Sequence, residues 1–167
     1  FLFIQRRYGP GDLPPVEAKL DRPRHVYDMR SRAYLGYTDC PVLSLPGIAA
    51  TAAYAFLDHR VTEVSVSAPS RVRCGMAATV RVKIGSAGGP ATGHTVHLEV
   101  QDPSGAIEHR FEANIHAVSE ETAAVLHFTL DEMIGRWRVI VRDVESGVEG
   151  TASFILDPGV TPPQVTL

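Results

Sequence analysis

The sequence predicts an all-β protein, on three observations. Between residues 61 and 157 apolar residues alternate with polar ones at a period of two, the signature of strands buried on one face. Turn chemistry built from Gly, Pro, Asp and Ser interrupts that alternation every ~8 to 15 residues. No stretch carries the 3.6-residue period of an amphipathic helix. About seven strands in roughly 95 residues is the pattern of an immunoglobulin-like antiparallel β-sandwich. A smaller β-domain, too short to be a complete sandwich, precedes it. The predicted division is 1–58 for the N-terminal domain, 61–157 for the sandwich and 158–167 for a Pro-rich linker or tail.

In chain order, Phe1 to Gln5 is a short apolar run suited to a buried strand, and GPGDLPP at 9–15 is a stretch no helix can cross. Glu17 to Leu20 and His25 to Met29 are extended segments, the second opening HVYDMRSRAYLGYTD, which reads as a hairpin around a polar Arg30-Ser31-Arg32 corner. Gly36 is a bulge or a turn residue there. Pro41 to Leu45 is a strand ended by Pro46-Gly47. Residues 48–57, IAATAAYAFL, stay open: five alanines favour a helix, whereas Tyr54, Phe56 and the flanking strands suit a final strand.

From Val61 the pattern is cleaner. Val64 and Val66, then Val80, Val82 and Ile84, then Val96, Leu98 and Val100 each share a parity, and 86–90 is a loop. Asp102-Pro103-Ser104-Gly105 has the chemistry of a type I turn. Phe111, Ala113, Ile115 and Ala117 form the next inward set, followed by Leu126, Phe128 and Leu130, and 131–134 is a connection with room for one helical turn. The chain then reaches GRWRVIVRDVESGVEGTASFIL at 135–156, a hairpin broken at Ser146-Gly147. Its first strand places the lone Trp137 with Val139 and Val141 on the buried face, and Arg136, Arg138, Ile140 and Arg142 outside.

Composition narrows the function. The chain is 44% hydrophobic and 21% charged over 167 residues, with a formal charge of −3, which suits a globular protein with a sizeable core. Residues 1–60 hold 8 Lys+Arg against 6 Asp+Glu, and the remainder 8 against 13. Neither part is basic enough for a nucleic-acid surface. No run of 18 apolar residues exists, so no helical membrane span is expected. Phe1 is not an initiator Met and both ends read as cuts in a longer polypeptide. Cys40 and Cys74 have no CxxC or Cys/His spacing; they are expected as independent buried or half-buried thiols, with a disulfide between the two domains as the alternative.

Two stretches carry a resemblance. Residues 61–157, with DPSG at 102–105, GRWRVIVRDVESG at 135–147 and a closing TASFIL, resemble bacterial Ig-like and macroglobulin-type sandwich modules. Residues 17–57, with HVYDMRSRAYLGYTD, LSLPG and AYAFL, resemble the C-terminal β-sandwich that trails the catalytic barrel of many glycoside hydrolases, departing at Arg32, where that hairpin often has Gly. The resemblance implies a non-catalytic accessory region of a larger, exported bacterial carbohydrate-active enzyme. It implies an upstream catalytic domain in cis as partner and an extracellular or periplasmic location.

The chemistry-bearing residues give no motif. G-x-S-x-G, GxGxxG, P-loop and HExxH are all absent. His97 beside Glu99, with His109, His116 and His127, lacks diagnostic metal spacing. Glu99 and Glu112 share outward parity, but an exposed sheet face is a poor place to desolvate an acid. Asp28, Asp39 and Asp143 sit at turns without the EF-hand spacing. The expectation is therefore no catalytic residue, no metal and no cofactor. If the chain binds a ligand, Tyr27, Tyr34 and Tyr37 are the residues expected to form the platform, for a polysaccharide or another protein. Pairing of exposed strand edges with a partner is the remaining alternative.

Overall fold

The structure, a computed structural model, describes residues 1–5, 14–44 and 51–159. Among the described residues six strands precede the sandwich: β1 (Leu2–Gln5), β2 (Val16–Glu17), β3 (Arg24–Asp28), β4 (Ala33–Thr38), β5 (Val42–Leu43) and β6 (Thr51–Leu57). β1, β6, β3 and β4 form an antiparallel sheet in that order, and β2 pairs with β5. The alanine-rich run is thus a strand over Thr51–Leu57, and residues 45–50 lie outside the described residues. Ala52, Ala53, Tyr54 and Ala55 are all buried, so this central strand is packed on both faces. Small side chains there answer a packing need that overrides their helix propensity. In the β3–β4 hairpin the register shifts between Val26 and Tyr27, with Val26 opposite Gly36 and Tyr27 opposite Tyr34. Gly36 sits at φ +120°, and Leu35 is the extra residue of a bulge.

Nine strands follow: β7 (Val61–Ser67), β8 (Arg71–Arg73), β9 (Ala77–Ser86), β10 (Gly89–Pro90), β11 (His94–Gln101), β12 (Ala113–Ala117), β13 (Thr122–His127), β14 (Gly135–Asp143) and β15 (Glu149–Asp157). β7, β9 and β13 make one sheet with β10 folded back on β9; β12, β11, β14, β15 and β8 make the other. The arrangement is an immunoglobulin-like β-sandwich, with first, second and fifth principal strands facing third, sixth and seventh. β8 joins β15 in parallel, so the chain changes sheets at Pro69, where a ladder donor is missing.

The core lies between these sheets. Val64, Val80, Val82, Ile84 and Leu126 face Val96, Leu98, Val100, Trp137, Val139, Val141, Phe154 and Leu156, all buried. Trp137 meets Phe128 edge-on with ring centroids 5.1 Å apart, and its Nε1 donates to Met133 O at 2.9 Å. The 102–105 turn closes as its chemistry predicts, with Gly105 N donating to Asp102 O at 3.0 Å and Ser104 N to Asp102 Oδ1 at 2.8 Å.

Several expectations need correction. Leu130 is 68% exposed, because β13 ends at His127 and Thr129 turns the chain by bonding to Asp131 and Glu132. Ala113 is exposed on the edge strand β12, where only one neighbour covers it. The 86–90 loop contains a tight return, β9 to β10, with Gly89 at φ +116°. The helical turn occurs at His109–Phe111 rather than 131–134. Both cysteines are free thiols; Cys74 is buried as expected, but Cys40 is exposed.

Candidate functional site

The ionisable residues that the sandwich buries are concentrated where β11 begins and β14 ends. His94 precedes Val96 by two and so points inward with it; Asp143 follows Val141 by two and does the same. Val96 is paired with Asp143 across the ladder, which brings His94 beside Asp143 at the rim of the core. The turn after β14 adds Glu145 and Ser146, with Gly147 N donating to Asp143 O at 2.8 Å. His94, Asp143, Glu145 and Ser146 are 2, 0, 4 and 4% exposed.

Each polar group has a defined partner. His94 Nδ1 lies 2.7 Å from Asp143 Oδ1 and 3.6 Å from Glu145 Oε2. Asp143 Oδ2 accepts hydrogen bonds from the Ser146 amide, at 2.9 Å, and from the Ser146 hydroxyl. Thr95 N donates to the Glu145 carboxylate at 3.1 Å. His94 Nε2 lies 2.9 Å from Nε2 of His59, a residue of the short link between β6 and β7. Burial opposes a charge on His94, but the hydrogen bonds and charges of Asp143 and Glu145 outweigh it and raise its pKa to about 9. His59 is driven the other way, by burial and by the neighbouring His94. His94 is therefore the imidazolium donor through both nitrogens, and His59 is the neutral acceptor with its proton on Nδ1. Burial also opposes charge on Asp143, yet its bonds from His94 and Ser146 hold its pKa below the ordinary value.

The grouping of Ser, His and Asp is not a hydrolytic triad. The Ser146 hydroxyl donates to Asp143, and the outer nitrogen of His94 faces His59, so no base is aimed at the serine. Beside the cluster a cavity of about 210 Å³ is lined by Phe56, Asp58, His59, Thr92, His94 and Glu145 among others. Among the described residues, His94, Asp143 and Glu145 are the group whose ligand atoms, one from each, come within 4.8 Å of one another.

The tyrosines occupy a different place, on the hairpin of the N-terminal sheet. Tyr27 is 2% exposed and its hydroxyl accepts the Val61 amide at 3.1 Å, so it belongs to the joint with the sandwich and presents no ring face to a ligand. Tyr34 is half-exposed; its hydroxyl is 2.9 Å from His25 Nδ1 and the Arg60 guanidinium covers its ring at 4.7 Å. Tyr37 is 60% exposed and rests against His25 at 4.7 Å between centroids. The outer histidines are divided. His97 bonds Asn114 Oδ1 at 2.8 Å and approaches Glu99 at 3.2 Å and Glu112 at 3.4 Å, and His109 pairs with Glu112 at 3.0 Å. His127 stands on the opposite sheet. Glu99 and Glu112 thus share one half-buried imidazole, that of His97.

No family model and no curated protein matches this chain. Among solved structures it is similar to the CARDB domain of a Pyrococcus furiosus protein in complex with di-metal ions, at 15% identity and a TM-score of 0.40, covering 59% of this chain and 89% of that one. It is also similar to a β-glucosidase from Listeria innocua, at 17% identity and a TM-score of 0.38. That match covers 77% of this chain but spans only 19% of the β-glucosidase.

His94, Glu145 and His59 were not marked out by any motif. The signal for His94 and Asp143 lay in parity: each continues an inward-facing apolar series, and a charged residue in that series is either at the end of a strand or paired.

Proposed function

We propose that this chain is a non-catalytic accessory region of a larger, exported carbohydrate-active enzyme, built of units 1–58 and 61–157 with 158–167 as a linker. Its partner is a catalytic domain in cis, upstream, and its setting is extracellular or periplasmic. Its mechanism is mechanical: the sandwich is held at a set angle to the N-terminal sheet and so acts as a stiff spacer. The observation that carries this reading is the joint. Tyr27 bonds the first amide of β7, His59 bonds His94, and Arg32 at the hairpin corner pairs with Glu149 at 2.9 Å. The resemblance of residues 17–57 to the region trailing a glycosidase barrel supports the same reading. No helix among the described residues is long and apolar enough to cross a membrane.

The decisive experiment is to obtain the complete reading frame and assay the full-length and isolated chains on glycosides. An upstream barrel with activity that the isolated chain lacks is the expected result. Absence of any upstream catalytic pattern, or hydrolysis by the isolated chain, overturns the reading. A carbohydrate-binding role is the second reading, favoured by the exposed Tyr37 ring on β4 with Tyr34 beside it. Affinity electrophoresis in soluble polysaccharides tests it, with retardation lost in Tyr37→Ala as the supporting outcome and no retardation as the contrary one.

A further inference from the structure

The buried cluster at the rim of the sandwich has the donors, spacing and outer supports of a metal centre. A tetrahedral Zn²⁺ bound at about 2.0 to 2.2 Å sets its ligand atoms about 3.4 Å apart. His94 Nδ1 is 2.7 Å from Asp143 Oδ1 and 3.6 Å from Glu145 Oε2, on either side of that spacing, and one ligand atom from each of the three residues lies within 4.8 Å of the others. We propose that His94 Nδ1, Asp143 and Glu145 bind one divalent transition cation of the Zn²⁺ class, with water from the adjoining cavity completing the shell.

Two further features point the same way. Each donor is oriented by a partner of its own. His94 Nε2 is bonded to His59 Nε2, Asp143 Oδ2 to Ser146, and Glu145 to the Thr95 amide. Such outer partners fix the tautomer and direction of metal ligands. Here they leave Nδ1 and Asp143 Oδ1 turned toward Glu145. Access is the second feature. The cavity of about 210 Å³ reaches both His94 and Glu145, with Asp58 and His59 beside Phe1, Phe56 and Leu57 in its lining, so a cation and its water can come to the cluster from that side.

Binding is a proton exchange. The Nδ1–H bond of His94 breaks, its proton leaves to solvent, and the lone pair takes the cation; Nε2–H still donates to His59. The dication, two carboxylates and a neutral imidazole form a unit without net charge, which suits a site as buried as this one.

Thermal unfolding of the whole chain at pH 8, with and without excess Zn²⁺, tests the site. Co²⁺ absorption in the visible provides a second readout. The expected result is a Zn²⁺-dependent rise in Tm with one ion bound per chain. Tetrahedral Co²⁺ bands displaced by Zn²⁺ are expected alongside it. Both signals should vanish in His94→Gln and Glu145→Gln and persist in His97→Gln, which removes the imidazole between Glu99 and Glu112. No rise in wild-type Tm and no Co²⁺ bands overturn the proposal. So do signals that survive in Glu145→Gln or are lost in His97→Gln. The wild-type spectrum keeps the test decisive if His94→Gln does not fold. The outcome is independent of the accessory reading, which stands or falls on the upstream sequence.

Discussion

At His94 the cost of burying a charge is exceeded by two carboxylate partners, and the sign of the resulting pH dependence follows. Its folded pKa of about 9 lies above the ordinary 6.5, so its contribution is fully present below about pH 6.5. It is lost as pH rises through about 9. The shift corresponds to about 3 kcal/mol. Urea unfolding in a metal-free buffer should therefore show stability falling by about that amount between pH 6.5 and 10. His94→Gln should flatten this fall. A flat wild-type profile would show that His94 is not a buried cation held by Asp143 and Glu145. On the acid side Asp143, whose folded pKa is depressed, and His59, whose folded pKa is lowered, both remove stability as pH falls. The His59 part is lost from about pH 6.5 downward and the Asp143 part from about pH 4. The inward placement of His94 and Asp143 could be read from parity with Val96 and Val141. Their meeting could not, because it depends on the pairing of strands that bring together residues 49 apart in sequence. His59 lies in a link between strands, and no periodicity fixes where such a residue points.

The β14–β15 hairpin shows what an element contributes. Its parity was fully legible, because one strand face is buried and a one-residue slip would have exposed Trp137, Val139 and Val141 together. Trp137 is 1% exposed against Phe128, Phe154 and Phe111. Trp137→Ala should cost roughly 3 to 5 kcal/mol, measured by denaturant midpoint at unchanged slope. A loss below about 1 kcal/mol would contradict the packing. Gly150, opposite Val141, has a role that the alternation hid. A Cβ there would lie 1.9 Å from Val64 O, so β15 can cross against β7 only because this residue has no side chain. Gly150→Ala should prevent the two sheets closing, with exposed apolar surface seen as dye binding. A variant with wild-type Tm would argue against that approach. Leu130 and the alanine-rich β6 were harder to read for opposite reasons. Leu130 continues an inward parity past the point where its ladder ends. The alanines of β6 are chosen by space on two faces rather than by helix propensity.

At the scale of the molecule the question is how firmly the N-terminal sheet is held to the sandwich. Arg32 answers part of it. It is the non-glycine residue at positive φ, +58°, among the described residues, a conformation that costs on the order of 1 kcal/mol. Its guanidinium reaches Glu149, while Gly147, at φ +76°, lets the β14–β15 turn press against it, since a Cβ on Gly147 would lie 2.6 Å from Arg32 Cβ. The exposed ion pair adds less than about 1 kcal/mol. The Tyr27 hydroxyl matters more, because its removal leaves the buried Val61 amide without that acceptor, at about 1 to 3 kcal/mol. Calorimetry should distinguish a stiff joint from a loose one. Wild-type protein should unfold in a single transition, with both apolar clusters lost together. Tyr27→Phe combined with His59→Ala should separate it into two, the lower one belonging to the four-stranded N-terminal sheet. The smaller of the two clusters, Val26, Leu43, Ala52 and Tyr54 with their neighbours, buries too little to hold its temperature without the sandwich. Two transitions already present in the wild type would mean that these side chains do not couple the parts, and the stiff-spacer mechanism would then lose its physical basis.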